Sequence, residues 1–211
     1  MPNFKQKAMI CPLEASNPGI DTSDATATAA DIRSGKTAYI ASGKVTGTLT
    51  VGGSSQENDI LSGTVTTITS TTTSIGNRAL TYRQQLTTIN LPNCIETGTY
   101  CFEYDSALTT FNAPVIQKIG VGTFSNCTSL ASITLPATLT LLGNGAFQNC
   151  TSLTSVTFLG TTPPELHLNP FSNCPISDGE GVIYVPAEAV ETYKANEDFS
   201  QFVNLIQAIP T

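Results

Sequence analysis

Apolar residues recur along this chain at a fixed long period. With Phe124 as origin, Cys127 follows at three residues, Leu130 at six, Ile133 at nine and Leu135 at eleven, and Pro136 comes next. Phe147 repeats the series with Cys150, Leu153, Val156 and Phe158, and Phe102 with Asp105, Leu108, Phe111, Ala113 and Pro114. Leu80 does so with Arg83, Leu86, Ile89, Leu91 and Pro92, and Phe171 opens a fifth unit with Cys174 before diverging. Successive origins lie 22, 22, 23 and 24 residues apart. Four residues before each of the first four stands a glycine, Gly76, Gly98, Gly120 and Gly143, preceded by Ile75, Thr97, Ile119 and Leu142. In the fifth unit His167 and Leu166 fill these places.

A period of this length falls in the 20–29 range of leucine-rich repeats. Ile89-Asn90-Leu91 and Ile133-Thr134-Leu135 alternate apolar with polar, which predicts short strands with one buried face. The glycine predicts a tight turn, through positive φ or close backbone approach. The origin side chain and the leucine six residues on face the same interior from the opposite wall. One unit of this size cannot bury its apolar face alone, so units stack and share a core. The expected fold is a β-rich (α+β) solenoid over residues 74–186, whose core includes Leu80, Phe102, Phe124, Phe147 and Phe171 with Cys127, Cys150 and Cys174.

The two ends read differently. Gly181 to Pro186 predicts a last strand, and Val190, Tyr193, Phe199, Phe202 and Ile206 have helix-like spacing, which predicts a helical cap over 187–211. Pro163-Pro164 and Asn169-Pro170 mark an irregular connection before it. In the N-terminal third, Thr28 to Asp31 resembles a capping box and Gly35 a helix stop. Thr37 to Ile40 and Lys44 to Thr48, around Ala41-Ser42-Gly43, predict a small hairpin. Gly52-Gly53-Ser54-Ser55 reads as a flexible linker. Residues 1–53 are thus expected to form a separate assembly module, too small for its own core and folded against a partner or another copy. Residues 54–73 would supply a linker and a strand in Ile60 to Ile68 covering the first repeat.

Composition narrows the function. Apolar residues make up 40% of the 211-residue chain, enough for a core, whereas charged residues reach only 12%. The net charge is −7, and between Arg83 and Lys194 only Lys118 is basic. Without clustered Lys and Arg to displace counterions, a nucleic-acid surface is not expected. The first twelve residues lack an apolar stretch of signal-peptide length, and no segment approaches a membrane span. The expectation is assembly in a reducing cytoplasm, without the ordinary secretion signal.

Candidate chemistry is sparse. Cys127, Cys150 and Cys174 come one per unit, so they form a row rather than the convergent four-ligand set of structural zinc, and buried thiols are expected. Cys94 and Cys101 are close enough in sequence to pair, but a cytoplasmic origin argues for free thiols, and Cys11 lies outside the pattern. His167 is the only histidine and has no nucleophile motif beside it. Glu96, Glu103 and Asp105 are read as solvated turn charges rather than a glycosidase pair. No catalytic set, metal or cofactor is expected. The candidate binding face is the pair of polar strand ladders, Thr88, Thr110, Ser132 and Ser155 beside Asn90, Asn112, Thr134 and Thr157. No Trp, Tyr or Arg is expected on them, although such residues dominate binding hot spots.

Phe124-Ser125-Asn126-Cys127-Thr128-Ser129-Leu130 and Phe147-Gln148-Asn149-Cys150-Thr151-Ser152-Leu153 resemble the BspA-like leucine-rich repeats of bacterial surface and phage-encoded proteins. Ile183-Tyr184-Val185-Pro186 with Tyr193, Lys194 and Phe199 is similar to the usual end of such domains. Asp24 to Ile32, with Ser34 to Tyr39 and Gly43 to Thr48, resembles a short module in structural proteins of phages of Gram-positive bacteria. The two resemblances imply a virion surface protein, a fibre or a capsid or tail appendage. Its N-terminal module would contact other virion proteins and form a homo-oligomer, with a trimer favoured. Its repeats would face a host-surface protein or glycan, and neither nucleic acid nor membrane would be a partner. The alternative is a bacterial cell-surface adhesin of the same repeat type.

Overall fold

The computed structural model describes residues 66–211, together with the backbone of three earlier strands, β1 (Ala38–Ile40), β2 (Gly43–Val45) and β3 (Leu49–Gly52). From residue 66 onward a long and a short strand alternate. The long strands are β4 (Thr67–Ser70), β6 (Thr88–Asn90), β8 (Thr110–Asn112), β10 (Ser132–Leu135), β12 (Ser155–Phe158) and β14 (Val182–Val185). The short ones are β5 (Ser74–Ile75), β7 (Glu96–Thr97), β9 (Lys118–Ile119), β11 (Leu141–Leu142) and β13 (Glu165–Leu166). Each kind pairs with its own kind in parallel, one repeat to the next, which builds two walls of a solenoid.

The burial pattern explains these registers. β10 alternates exposed and buried, with Ile133 and Leu135 inward and Ser132 and Thr134 outward. A slip of one residue would turn its apolar pair to water. Ile68 pairs with Ile89, so the repeat pattern starts one strand before the Leu80 unit. Of the strand expected in Ile60 to Ile68, residues 60–65 lie outside the described residues, and the described strand is Thr67–Ser70. The long-strand wall is interrupted between β8 and β10. There Phe111 stands where neighbouring repeats carry Ile89 and Ile133, and its ring meets Phe124 edge-on at 4.8 Å.

The third wall contains no strand. It is a run of turns over 77–82, 99–104, 121–126 and 144–149, tied to the next repeat by main-chain hydrogen bonds. The amides of Tyr100, Phe102 and Tyr104 donate to the carbonyls of Val121, Thr123 and Ser125, at 2.8–2.9 Å. Its inward side chains stack. Phe124 and Phe147 are nearly parallel at 5.1 Å, and Phe147 and Phe171 at 5.6 Å. All the core residues named from the period are buried. The glycines follow the close-approach alternative rather than positive φ. A Cβ on Gly120 would lie 2.5 Å from the Gly98 carbonyl oxygen, and one on Gly143 would lie 2.6 Å from the Gly120 carbonyl carbon.

After β14 a 3-10 turn (Ala187–Ala189) leads into α2 (Val190–Ala195), which follows a single-turn α1 (Pro175–Asp178) earlier in the chain. A second 3-10 helix spans Glu197–Phe202. Tyr193 and Phe199 pack on Phe158, and Phe202 meets Phe171 edge-on at 5.5 Å, so the C-terminal segment covers the last rings of the core. Asp198 accepts a hydrogen bond from the amide of Leu166 at 3.0 Å. Ile206 departs from the helical reading. It begins β15 (Ile206–Ala208), a strand parallel to β14 with Ile206 opposite Ile183, because its apolar side chain is buried there.

β1 and β2 pair antiparallel with Ile40 opposite Gly43, as the hairpin reading expects. Val45 of β2 lies opposite Ile75, and β3 pairs antiparallel with β4, with Gly52 opposite Thr67. Gly52 thus belongs to a strand rather than a linker, and backbone pairing crosses the boundary expected at residue 53. The helix expected at 28–35 and Cys11 lie outside the described residues.

Candidate functional site

The polar strand positions align as ladders. Thr67, Thr88 and Thr110 stand in one register and Thr69, Asn90 and Asn112 in the next, on the first half of the long-strand wall. On the second half, Ser132 faces Ser155 and Thr134 faces Thr157. The interruption at β8 divides the eight expected residues into two groups of four. Thr110, Asn112, Ser132 and Thr134 are exposed, while Thr88, Asn90, Ser155 and Thr157 are partly covered. One aromatic residue joins them: Tyr184 lies opposite Thr157, contrary to the expectation of ladders without tyrosine. The step from Thr157 to Tyr184 is 27 residues against 23 from Thr134 to Thr157, which hid Tyr184 from a fixed period.

The cysteine row is interior. Cys127, Cys150 and Cys174 are buried and free, and their thiols donate to the carbonyls of Phe102, Phe124 and Phe171 at 3.2, 3.1 and 2.9 Å. Burial pushes the Cys150 thiol up to about 12 and raises Cys127 and Cys174 as well, so these thiols stay protonated. Cys94 and Cys101 are also free and buried, pushed up to about 11 and about 12 by burial. Among the described residues no group of three or more His, Cys, Asp or Glu is placed to hold a metal ion. His167 is half exposed, with Nε2 3.2 Å from Glu165 Oε1.

Asp105 corrects one expectation. It is fully buried, not a solvated turn charge, because it occupies the cysteine column. Its Oδ1 accepts the backbone amide of Arg83 at 2.6 Å, and its Oδ2 has no hydrogen-bond partner among the described residues. Burial pushes its carboxyl up to about 8, against the opposing pull of the Arg83 amide and guanidinium. Glu103 lies in the wall above, 3.8 Å from Arg78.

The turn wall holds a feature that the sequence reading missed. Two residues per repeat have positive φ, two before and two after the origin. In later repeats these are Gly122 and Asn126, Gly145 and Asn149, Asn169 and Asn173, residue types that adopt this conformation at little cost. In the first two repeats they are Arg78 and Tyr82, then Tyr100 and Tyr104, with φ of 53°, 62°, 56° and 63°. Large side chains held there cost about 1–3 kcal/mol each. Tyr82 and Tyr104 are 59% and 40% exposed, and their rings stack at 4.7 Å and 12°. Arg78 lies over the Tyr100 ring at 5.0 Å. Tyr100 in turn occupies the space that a Cβ on Gly122 would need. Reading the two columns down the repeats, Gly or Asn below Tyr, is the signal that would have revealed them. In later repeats the second column is an amide ladder instead, with Asn149 donating to Asn126 and Asn173 to Asn149 at 3.1 and 3.0 Å.

A family model described as "BspA type Leucine rich repeat region" matches residues 59–177 in six copies, more than half of the chain. The chain belongs to this family. Six copies against the five units counted from Leu80 agree with a repeat that begins before β4. Among solved structures, the BspA-type chain is similar to a leucine-rich repeat protein of T. pallidum, at 19% identity and a TM-score of 0.47, over 58% of this chain and 64% of that one. It is also similar to a leucine-rich cell surface protein of Faecalibacterium prausnitzii, at 24% identity and a TM-score of 0.47, over 67% and 38%. A leucine-rich repeat protein of Bacteroides ovatus gives 17% identity and a TM-score of 0.33, over 65% and 53%. The chain therefore spans less than two thirds of each of these proteins. A search of curated proteins gave no match.

Proposed function

We propose that this BspA-type repeat protein is a displayed binding protein on a phage virion, a fibre or a capsid or tail appendage, whose repeats contact a host or other biological surface. The observation that carries the virion assignment is the run from Asp24 to Thr48, which resembles modules of phage structural proteins and lies N-terminal to the repeats. In this reading the N-terminal region joins other virion proteins and oligomerises, with a homotrimer favoured. The repeats add no catalytic step, metal or cofactor. Their interior is committed to stacked phenylalanines and protonated thiols, so recognition falls to the outer walls. The test is the composition of purified particles, measured by mass spectrometry beside a cell-wall fraction of the producing host. The chain is expected in particles at a multiple of three copies. Recovery in the cell wall alone would replace this reading with that of a bacterial surface adhesin of the same repeat type. A monomeric full-length protein would overturn the trimer.

A further inference from the structure

We propose that the turn wall of the first two repeats, centred on the stacked pair Tyr82 and Tyr104, is a binding site for an uncharged glycan. This deepens the display reading above and rests on it. The first ground is the backbone. Four bulky side chains occupy positive-φ positions that later repeats fill with Gly or Asn. The same wall is built in repeats three to five without them. Strain kept at an exposed position and absent from equivalent positions points to function rather than folding.

The second ground is what these side chains present. Tyr82 is the more exposed of the pair, so the stacked rings offer apolar surface at the wall, while both carry hydroxyls. Arg78 is braced by the Tyr100 ring and sits 3.8 Å from Glu103, which brings donors and acceptors beside the rings. That pair cancels in charge, which favours an uncharged ligand. The surroundings select a glycan over a protein. Gln84 and Gln85 are exposed just after Tyr82, and Asn126 continues the Tyr82 and Tyr104 column. The other large exposed hydrophobics among the described residues, such as Ile95, Val115 and Leu168, lie outside this wall's turns, so among those residues the rings form no contiguous apolar patch. A protein interface core is built on such a patch. A sugar ring instead offers a C–H face for stacking and a rim of hydroxyls for amides, hydroxyls and guanidinium.

The variants Tyr82→Asn and Tyr104→Asn place at each position the residue that later repeats use, so the fold should be retained or stabilised. Full-length wild type and the double variant would be applied to an array of neutral oligosaccharides of galactose, mannose and N-acetylglucosamine. Hits would be titrated by tyrosine fluorescence, which is read directly because the chain has six Tyr and no Trp. The wild type is expected to bind, the double variant to bind at least tenfold more weakly with an equal or higher Tm, and Leu168→Ser, in the fifth repeat rather than the first two, to bind as wild type. Retained affinity in the double variant overturns the proposal, as does loss caused by Asn112→Ala instead, which moves the site to the strand ladder. If no glycan binds while intact particles still adhere to host cells, the glycan site is refuted and the display reading stands. If neither binds, both fail.

Discussion

Replacing Asp105 by the cysteine of its column should remove a pH dependence that this one carboxyl imposes on folding. Asp105 is 0% exposed, and its carboxyl accepts one hydrogen bond among the described residues, from the Arg83 amide. In the folded protein its carboxyl is pushed up to about 8, first by burial, whereas an unfolded Asp titrates near 3.9. The folded state therefore holds a proton that the unfolded chain releases between those values. Its stability contribution is fully present below about pH 4, declines as pH rises, and levels off above about pH 8. One site gives a slope of about 1.4 kcal/mol per pH unit, so from pH 5 to pH 7 Asp105 should remove about 2–3 kcal/mol. Urea unfolding of wild type, Asp105→Cys and Asp105→Asn at half-unit steps from pH 4.5 to 8 measures it. Both variants should lose the slope, and the gap between each variant and wild type should widen toward pH 8. Parallel curves would refute the reasoning. A gap that narrows with rising pH would show that Arg83 keeps Asp105 ionised and that the pair stabilises the fold.

Further outcomes follow from the same packing. Phe124→Ala and Phe147→Ala should each cost about 3–5 kcal/mol in urea unfolding, because each ring is sandwiched in the stack, whereas the exposed Thr134→Ala should cost under about 0.5 kcal/mol. Equal losses would mean that the inner and outer faces are misassigned. Gly120→Ala should cost about 1–3 kcal/mol, because its Cβ would meet backbone of the neighbouring repeat; an unchanged Tm would contradict the close approach. Adding EDTA should leave the thermal midpoint unchanged, since the cysteine row contributes buried thiols rather than metal ligands, and a large fall would reverse that assignment.

The interior was legible because it repeats. Phe124, Cys127, Leu130 and Ile133 recur in the next unit at one spacing, and burial enforces that spacing. What escaped lies where repeats differ. Tyr82 and Tyr104 carry no sign of positive φ in their own identity, since tyrosine seldom adopts it; only the asparagines below them in the column reveal the backbone. Tyr184 escaped because the last long step is 27 residues. By sequence Ile206 fits either period, because a single apolar residue after a helix decides neither, and its pairing with Ile183 makes it a strand. By residue type Asp105 reads as a solvated acid, although its place among cysteines marks an inward position. By sequence β2 and β3 fall in a separate module, because Gly52 and Gly53 look like a linker and the pairing with β4 and β5 is a long-range effect.

The reading of the chain as a displayed repeat protein is tested most directly by immunogold labelling of intact phage particles with antibodies raised against residues 74–211. The account predicts gold on the outer surface of undisrupted particles, at recurring positions on fibre, tail or capsid. Gold confined to the host cell envelope, or seen only after particles are broken open, would contradict it.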